Sequence, residues 1–272
     1  MPDRLRLTIL GCGSSPGTPR ITGDWGNCDP HNPKNRRMRT AVLVERIAAN
    51  GSRTIVVIDT GPDFRQQMLM ACVKRIDAVV YTHPHADHIH GIDDLRGFVQ
   101  DQRQLIDIHA DTATMLRLRE AFGYCFETPQ GSSYPPIVRP HLIDHARPVV
   151  IEGEGGALTL EPLPQIHGDI ISLGFRIGAL AYCPDISGFP EATVERLRGL
   201  DVLIIDALQY RTHPSHLSLG QALDWIERLA PTHAVLTHMH VPLDYATVMA
   251  ETPANVEPAY DGMVIEIPYD SV

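Results

Sequence analysis

The sequence predicts an α/β protein of four layers, an αββα sandwich in which two mixed sheets pack face to face with helices outside. Short β-branched and apolar runs recur in both halves of the chain, and amphipathic runs with capping residues lie between them. A length of 272 residues suits one substantial core, and 43% hydrophobic with 21% charged residues is ordinary for a globular protein. We therefore predict a single domain spanning residues 1–272.

Composition excludes several classes of partner. A formal net charge of −10 opposes general binding to nucleic acid, because the phosphate backbone attracts basic surfaces. No apolar run is long enough to predict a membrane span. Five cysteines without a Cys-x-x-Cys pair indicate a reducing cytoplasm rather than a disulfide framework. These features favour a small-molecule substrate. The assembly that we consider is a homodimer.

The N-terminal region predicts three strands. Residues 4–10 alternate charged and apolar side chains and lead into a glycine-rich loop that begins at Gly11. Residues 41–47 and 54–58 predict a hairpin around Asn50-Gly51, because this dipeptide favours a tight turn. A helix over 63–72 follows.

A long polar loop separates the first strand from the hairpin. It carries Lys34, Arg36, Arg37 and Arg39 within six residues. Forked hydrogen bonds from these side chains to a phosphate are one interpretation, and a solvated surface is the other. The sequence supports both.

The central feature is the stretch Thr82 to Gly91, which follows a buried strand over 76–81 and precedes a helix. Imidazole and carboxylate groups gather in this turn as His83, His85, Asp87 and His88. Donors packed this closely are best satisfied by metal ions. The alternative is a histidine-rich surface turn, but the pattern His-x-His-x-Asp-His is highly specific. It resembles the metal motif of the metallo-β-lactamase-fold hydrolases.

The second half predicts further strands and helices in alternation. The strands cover 149–152, 157–163, 170–177, 180–183, 202–205 and 234–236, and the helices cover 111–122 before them, then 191–198 and 219–229.

Isolated polar residues follow three of these strands. They are His167, Asp185 and His238. Each taken alone is typical of a satisfied polar residue at a strand end. Together they have the order His, Asp, His that the resembled fold uses after its first motif.

The resemblance implies a dinuclear centre. His83, His85 and His167 would hold one ion, and Asp87, His88 and His238 the other, with Asp185 bridging both. Asp59, which follows the second hairpin strand, would orient the metal loop. This donor set suits zinc, manganese or iron, and the sequence does not choose among them. Two such ions activate a water as a hydroxide nucleophile, so the resemblance implies hydrolysis, with Asp87 as a catalytic residue.

The segment before the last predicted helix narrows the reaction. His216-Leu217-Ser218 is similar to the His-x-Thr/Ser motif in the phosphodiesterase branch of the fold, so we expect His216 to stabilise the phosphate or donate a proton. The prediction is a phosphodiesterase for a small phosphate diester, such as a cyclic ribose or nucleotide phosphate. The alternatives are a thioester or lactone hydrolase, a nuclease like the tRNA 3′-processing enzymes, and a non-enzymatic metal-binding protein.

A third metal ion is a further expectation. The chain is similar through most of its length to the cyclic-phosphate phosphodiesterases of phosphonate breakdown, in which cysteines of the early loop and a late histidine hold a structural zinc. Here Cys28 and His240 are the matching residues. The loop offers one thiolate where the pattern has more than one.

Overall fold

The computed structural model describes residues 2–269 and contains two seven-stranded mixed sheets with seven α-helices among those residues. The strand orders are β14-β1-β2-β3-β4-β5-β6 and β13-β12-β11-β10-β9-β8-β7. The α/β class predicted from the sequence is confirmed.

By their contacts, the residues group into two compact units, and each unit is discontinuous in sequence. The first unit contains the segments up to Thr8, from Ala41 to Thr159 and from Val264 onward. The second unit contains Ile9–Thr40 and Leu160–Met263.

The first unit is built on the first sheet. The strands of this sheet are β1 (Arg4–Gly11), β2 (Ala41–Ile47), β3 (Arg53–Ile58), β4 (Ala78–Val80), β5 (Ile106–Ala110), β6 (Val138–Leu142) and β14 (Val264–Pro268), and β1 continues beyond the first unit. Its helices are α1 (Phe64–Met70), α2 (Ala86–Ile89), α3 (Leu95–Gln102) and α4 (Thr112–Phe126). The hairpin predicted for β2 and β3 is confirmed, with Gly51 at a φ of +87° in its turn. Strands β3 to β6 run parallel, so their carboxyl ends share one edge of the sheet.

The second sheet has a parallel half and an antiparallel half. Its strands are β7 (Val149–Ile151), β8 (Leu158–His167), β9 (Ile170–Ile177), β10 (Leu180–Cys183), β11 (Val202–Asp206), β12 (His233–Thr237) and β13 (Val256–Pro258). The helices α5 (Glu191–Arg196), α6 (Leu219–Leu229) and α7 (Tyr245–Glu251) belong to the second unit. Strand β9 is antiparallel to β8 and β10, whereas β10 to β13 are parallel. A capping box of Ser218 and Gln221 starts α6.

Several elements escaped the sequence analysis, namely β5, β6, β13, β14 and α7. The four missed strands are short, and β6 contains Pro140, a residue that is uncommon inside strands and so weakens the prediction. Strand β8 also runs beyond its predicted end at Leu163, because pairing with β9 continues to His167 opposite Ile170. The residue predicted to follow this strand is therefore its last member.

No helix among residues 2–269 has the length and apolar character needed to cross a bilayer. All five cysteines are free thiols.

A buried carboxyl group in the second unit predicts a pH-dependent stability. Asp261 accepts hydrogen bonds from the backbone N–H groups of Cys12 and Met38, at 3.1 and 2.7 Å. Burial raises the pKa of Asp261 to about 7, although these hydrogen bonds oppose the shift. The folded protein therefore holds this proton more tightly than the unfolded chain does. The stability that the protonated Asp261 side chain contributes is fully present below about pH 4 and is lost as the pH rises through about 7.

We expect the free energy of unfolding of the wild-type protein to fall as the pH rises from about 4 to 7. Asp261 should account for a slope of up to about 1.4 kcal/mol per pH unit. Urea unfolding at a series of pH values measures the slope. Asp261→Asn removes the titrating group and should flatten the slope by this amount. Identical slopes for the two proteins would contradict the assignment.

Candidate metal centre

The histidine-rich turn of the first unit lies at the carboxyl end of β4. Thr82 and His83 follow this strand, and helix α2 carries Asp87 and His88. The ring centroid of His83 lies 4.5 Å from that of His85 and 4.2 Å from that of His88. An Asp87 carboxylate oxygen is 3.5 Å from His88 Nε2. Within this unit, the four predicted donors of the motif are therefore neighbours.

Asp59, at the end of β3, orients the turn. Its carboxylate accepts hydrogen bonds from the Thr82 N–H and the Thr82 hydroxyl, both at 2.8 Å, and from His88 Nδ1 at 2.7 Å. Because the Thr82 hydroxyl donates to Asp59, its oxygen accepts from His83 Nδ1 at 3.0 Å. Both histidines thus carry the proton on Nδ1, which leaves Nε2 as the lone-pair atom suited to a metal ion.

Backbone contacts fix the position of this turn. The Gly91 N–H donates to the Thr60 carbonyl at 2.7 Å, and the Thr60 N–H donates to the His88 carbonyl at 2.8 Å. A Cβ atom at Gly91 would collide with the Gly61 carbonyl and with Phe64. Glycine is therefore required at this point of the motif.

Asp59 provides a test of this orientation. Burial raises the pKa of Asp59, while the hydrogen bonds from His88 and Thr82 favour its charged form. In Asp59→Asn, one acceptor oxygen becomes an NH₂ group that cannot accept from His88 Nδ1. We expect divalent-metal affinity to fall about 10–100-fold, as measured by titration with a competing chelator. The exposed Asp101→Asn serves as control, and equal affinities would show that Asp59 does not orient the ligands.

In the second unit, three polar residues lie at the carboxyl ends of adjacent parallel strands. Asp185 follows β10, Asp206 ends β11, and His238 follows β12. An Asp185 carboxylate oxygen is 3.1 Å from His238 Nδ1. Parallel pairing thus gathers side chains that are far apart in sequence at one edge of this sheet.

His167 and His238, both in this unit, also carry the proton on Nδ1. His167 Nδ1 donates to the Ser215 carbonyl at 2.6 Å. His238 Nδ1 contacts the Thr40 oxygen at 3.2 Å, and the Thr40 hydroxyl itself donates to the Gly13 carbonyl. Their Nε2 atoms are therefore also the lone-pair atoms, so the donor chemistry of both units fits a divalent cation.

Backbone conformation at these residues is unusual. Asp59, Asp185 and His238 have φ values of 69°, 50° and 57°, in the left-handed region that non-glycine residues seldom adopt. Left-handed non-glycine residues carry conformational strain and concentrate at functional sites.

His216 lies beside the ligand candidates of the second unit. Its Nδ1 donates to an Asp206 carboxylate oxygen at 2.8 Å, and Asp206 is fully buried. Donor atoms of His167, Asp185 and His216 lie within 4.8 Å of one another. The ring of His216 also stacks on that of His238, with centroids 4.8 Å apart.

Sequence reasoning missed Asp206 as the partner of His216. The sequence did contain a signal for this residue, because Asp206 lies at the end of an apolar strand, as Asp59 lies directly after one. Thr40 and the Ser215 carbonyl carry no such signal, since a threonine or a carbonyl group occurs throughout any sequence.

The donor clusters of the described residues give no support to the expected third zinc site. Within residues 2–269, no group of three close His, Cys, Asp or Glu donors includes Cys28 or His240. The Cys28 thiol lies 3.4 Å from the Val241 and Leu243 carbonyls, and burial raises its pKa. The guanidinium of buried Arg37 lies beside this thiol and donates to the Leu243 carbonyl at 2.7 Å. The thiol expected to bind zinc therefore has a cationic side chain as a neighbour.

Comparison with known proteins identifies the family. The model of the beta-lactamase superfamily domain matches residues 54–239. The chain is similar to a crystal structure described as a new diphosphatase from the PhnP family, with a TM-score of 0.85, 37% identity and coverage of 97% of each chain. It is also similar to the metallo-β-lactamase fold protein YhfI from Bacillus subtilis, with a TM-score of 0.72, 18% identity and coverage of 97% and 99%.

A further relative is a protein named octanoyltransferase from Porphyromonas gingivalis. It is 32% identical over 264 residues, which are 95% of this chain and 51% of the relative. The chain thus spans about half the length of that protein.

The family model covers more than half of the chain, and the metallo-β-lactamase fold implies a divalent metal, for which the His and Asp side chains described above are suitable donors. The protein therefore belongs to the family of beta-lactamase superfamily domains and is a hydrolase of the metallo-β-lactamase fold.

Proposed function

We propose that the protein is a metal-dependent phosphodiesterase for a small phosphate diester. The observation that carries the proposal is the buried Asp206–His216 pair beside His167 and Asp185. An Asp-oriented histidine suits protonation of an alkoxide leaving group, which a thioester substrate does not require. The 37% identical relative is described as a diphosphatase, which supports phosphate chemistry.

The proposed ligands divide into two sets and a bridge. His83, His85 and His167 would hold one ion, and Asp87, His88 and His238 the other, with Asp185 shared. The Nδ1 protons of His83, His88, His167 and His238 support this, because each leaves Nε2 as the ligating atom. Zinc or manganese bound there would supply Lewis acidity towards the phosphate oxygens and water.

The residues of the chain would act as follows. The Nδ1–H bond to Asp206 directs His216 to react through Nε2. In its imidazolium form, with a second proton on Nε2, the ring would protonate the leaving oxygen as the phosphorus–oxygen bond breaks, and the attacking water would return a proton to Nε2. Asp59 and Thr82 keep His83 and His88 from rotating. Attack by water on phosphorus then yields a phosphate monoester and an alcohol.

The test is hydrolysis of bis(p-nitrophenyl) phosphate by purified protein loaded with Mn²⁺ or Zn²⁺. We expect turnover that a chelator abolishes and that added metal restores. Inorganic diphosphate, run in parallel, separates diester from anhydride hydrolysis. Metal-loaded protein that cleaves no phosphate diester would overturn the proposal.

A thioester hydrolase is the second candidate, favoured by the octanoyltransferase relative. Because the chain matches half of that protein, the activity in its name belongs to the whole molecule. An octanoyl thioester assayed under the same conditions distinguishes the candidates. Thioester turnover without diester turnover would favour the second.

Other expectations stay predictions. They are one domain over residues 1–272, a cytoplasmic location, homodimer assembly, and the absence of nucleic-acid and membrane partners. Lactone hydrolysis and a nuclease activity towards tRNA remain the less favoured alternatives for this fold.

A further inference from the structure

A cleft in the second unit adjoins the Asp206–His216 pair. It has a volume of about 260 Å³, and its lining includes Ser14, Gln209, His213, His216, His238 and His240. This is smaller than the pockets that hold drug-sized ligands and suits a single sugar or nucleoside. Because His216 itself lines the cleft, a group attached to the leaving oxygen would lie there.

The cleft carries no fixed charge of its own. Within residues 2–269, none of the side chains that line it is Lys, Arg, Asp or Glu. Two cations lie beside it, and both are already engaged. Arg39 Nε donates to the carbonyl of Ser15, another lining residue, at 3.2 Å. The second is Arg20. One nitrogen pairs with an Asp24 carboxylate oxygen at 2.9 Å, and the other contacts His240 Nε2 at 2.6 Å. A second phosphate group is normally recognised by uncommitted Arg or Lys side chains, whereas the guanidinium groups of Arg20 and Arg39 already hold other partners.

Hydrogen-bond chemistry gives the cleft neutral donors. A guanidinium only donates, so His240 Nε2 accepts from Arg20 and His240 carries its proton on Nδ1. That proton is donated to the Ser14 oxygen at 2.9 Å, which leaves the Ser14 hydroxyl hydrogen to be donated elsewhere.

His213 adds a second donor. Its Nδ1 accepts from the Ser215 N–H at 3.3 Å, so its proton lies on Nε2. The Gln209 amide, also in the lining, both donates and accepts. Such a set matches hydroxyl groups, which likewise donate and accept.

We propose that this cleft binds the leaving-group side of the substrate, and that this side is an uncharged, hydroxyl-bearing group such as a sugar or nucleoside rather than a group with a second phosphate. The inference rests on the proposed phosphodiesterase activity. It adds the substrate class that this activity selects.

A matched pair of substrates tests it. A nucleoside 2′,3′-cyclic phosphate and the same compound with a 5′-phosphate differ only in one charged group. We expect wild-type protein to show a kcat/KM at least about tenfold higher for the uncharged-end substrate, the effect of one hydrogen bond to a charged group. A preference for the 5′-phosphorylated compound, or equal values, would overturn the inference.

A charge placed in the cleft should reverse the preference. Gln209→Arg adds an uncommitted guanidinium, and we expect the ratio of the two kcat/KM values to move at least about tenfold towards the 5′-phosphorylated substrate. Gln209→Met, which adds no charge, is the matched control for altered packing, and melting temperatures check that both variants fold. An unchanged ratio in Gln209→Arg would place the leaving group outside this cleft and overturn the inference.

Bis(p-nitrophenyl) phosphate separates the two proposals. If the protein hydrolyses this diester but does not prefer the nucleoside cyclic phosphate without a 5′-phosphate, only the cleft assignment is overturned. Absence of hydrolysis for every diester overturns the phosphodiesterase and the cleft assignment together.

Discussion

Asp87→Ala is expected to abolish hydrolysis of bis(p-nitrophenyl) phosphate. An Asp87 carboxylate oxygen lies 3.5 Å from His88 Nε2, so loss of this side chain would remove an anionic ligand from the proposed centre. Outer partners of metal ligands are worth about 10–100-fold in affinity or activity, and a direct ligand should be worth more than about 100-fold. Elemental analysis of the variant should show reduced metal content.

The control for this variant is Asp93→Ala. Asp93 lies in the same segment of the chain, but it is exposed and pairs with Arg96 at 2.7 Å. We expect activity close to wild type. Full activity and full metal content in Asp87→Ala would remove Asp87 from the ligand set.

His216→Ala is expected to lower kcat by about 10²–10⁴-fold while the metal content stays at the wild-type level. The loss should be larger for a substrate with an alkyl leaving group than for one that releases p-nitrophenolate, because the poorer leaving group depends more on a proton donor. Steady-state kinetics on both substrates measures the difference. A variant that loses its metal instead would identify His216 as a ligand, a role that its proximity to His167 and Asp185 also permits.

Asp206→Asn distinguishes orientation from proton donation. An Asn side chain carries no negative charge, so it no longer stabilises the imidazolium form of His216 that is needed to donate a proton from Nε2. We expect a fall in kcat without loss of metal, smaller than the fall in His216→Ala because the imidazole remains. Asp201→Asn, at an exposed position before the same strand, is the control.

The sequence determined the α/β class and the strand ends where the candidate residues lie. The apolar runs before Asp59, His83, Asp185 and His238 are visible in the sequence, and in the structure each strand ends one to three residues before its polar residue. The motif around His83 could be recognised because its donors are adjacent in the chain. Short strands with mixed composition, such as β5 and β6, lack such a signal because tertiary pairing rather than local preference makes them strands.

Only the tertiary structure decided which atom of each histidine can act. The proton positions of His88, His167 and His216 depend on Asp59, the Ser215 carbonyl and Asp206, and these partners are distant in sequence from most of the rings they hold. The left-handed backbone at Asp185 and the commitment of Arg20 to Asp24 and His240 likewise follow from contacts rather than from residue type. Sequence spacing specifies where a donor leaves a strand, whereas hydrogen-bond direction requires the positions of groups that the folded chain brings together.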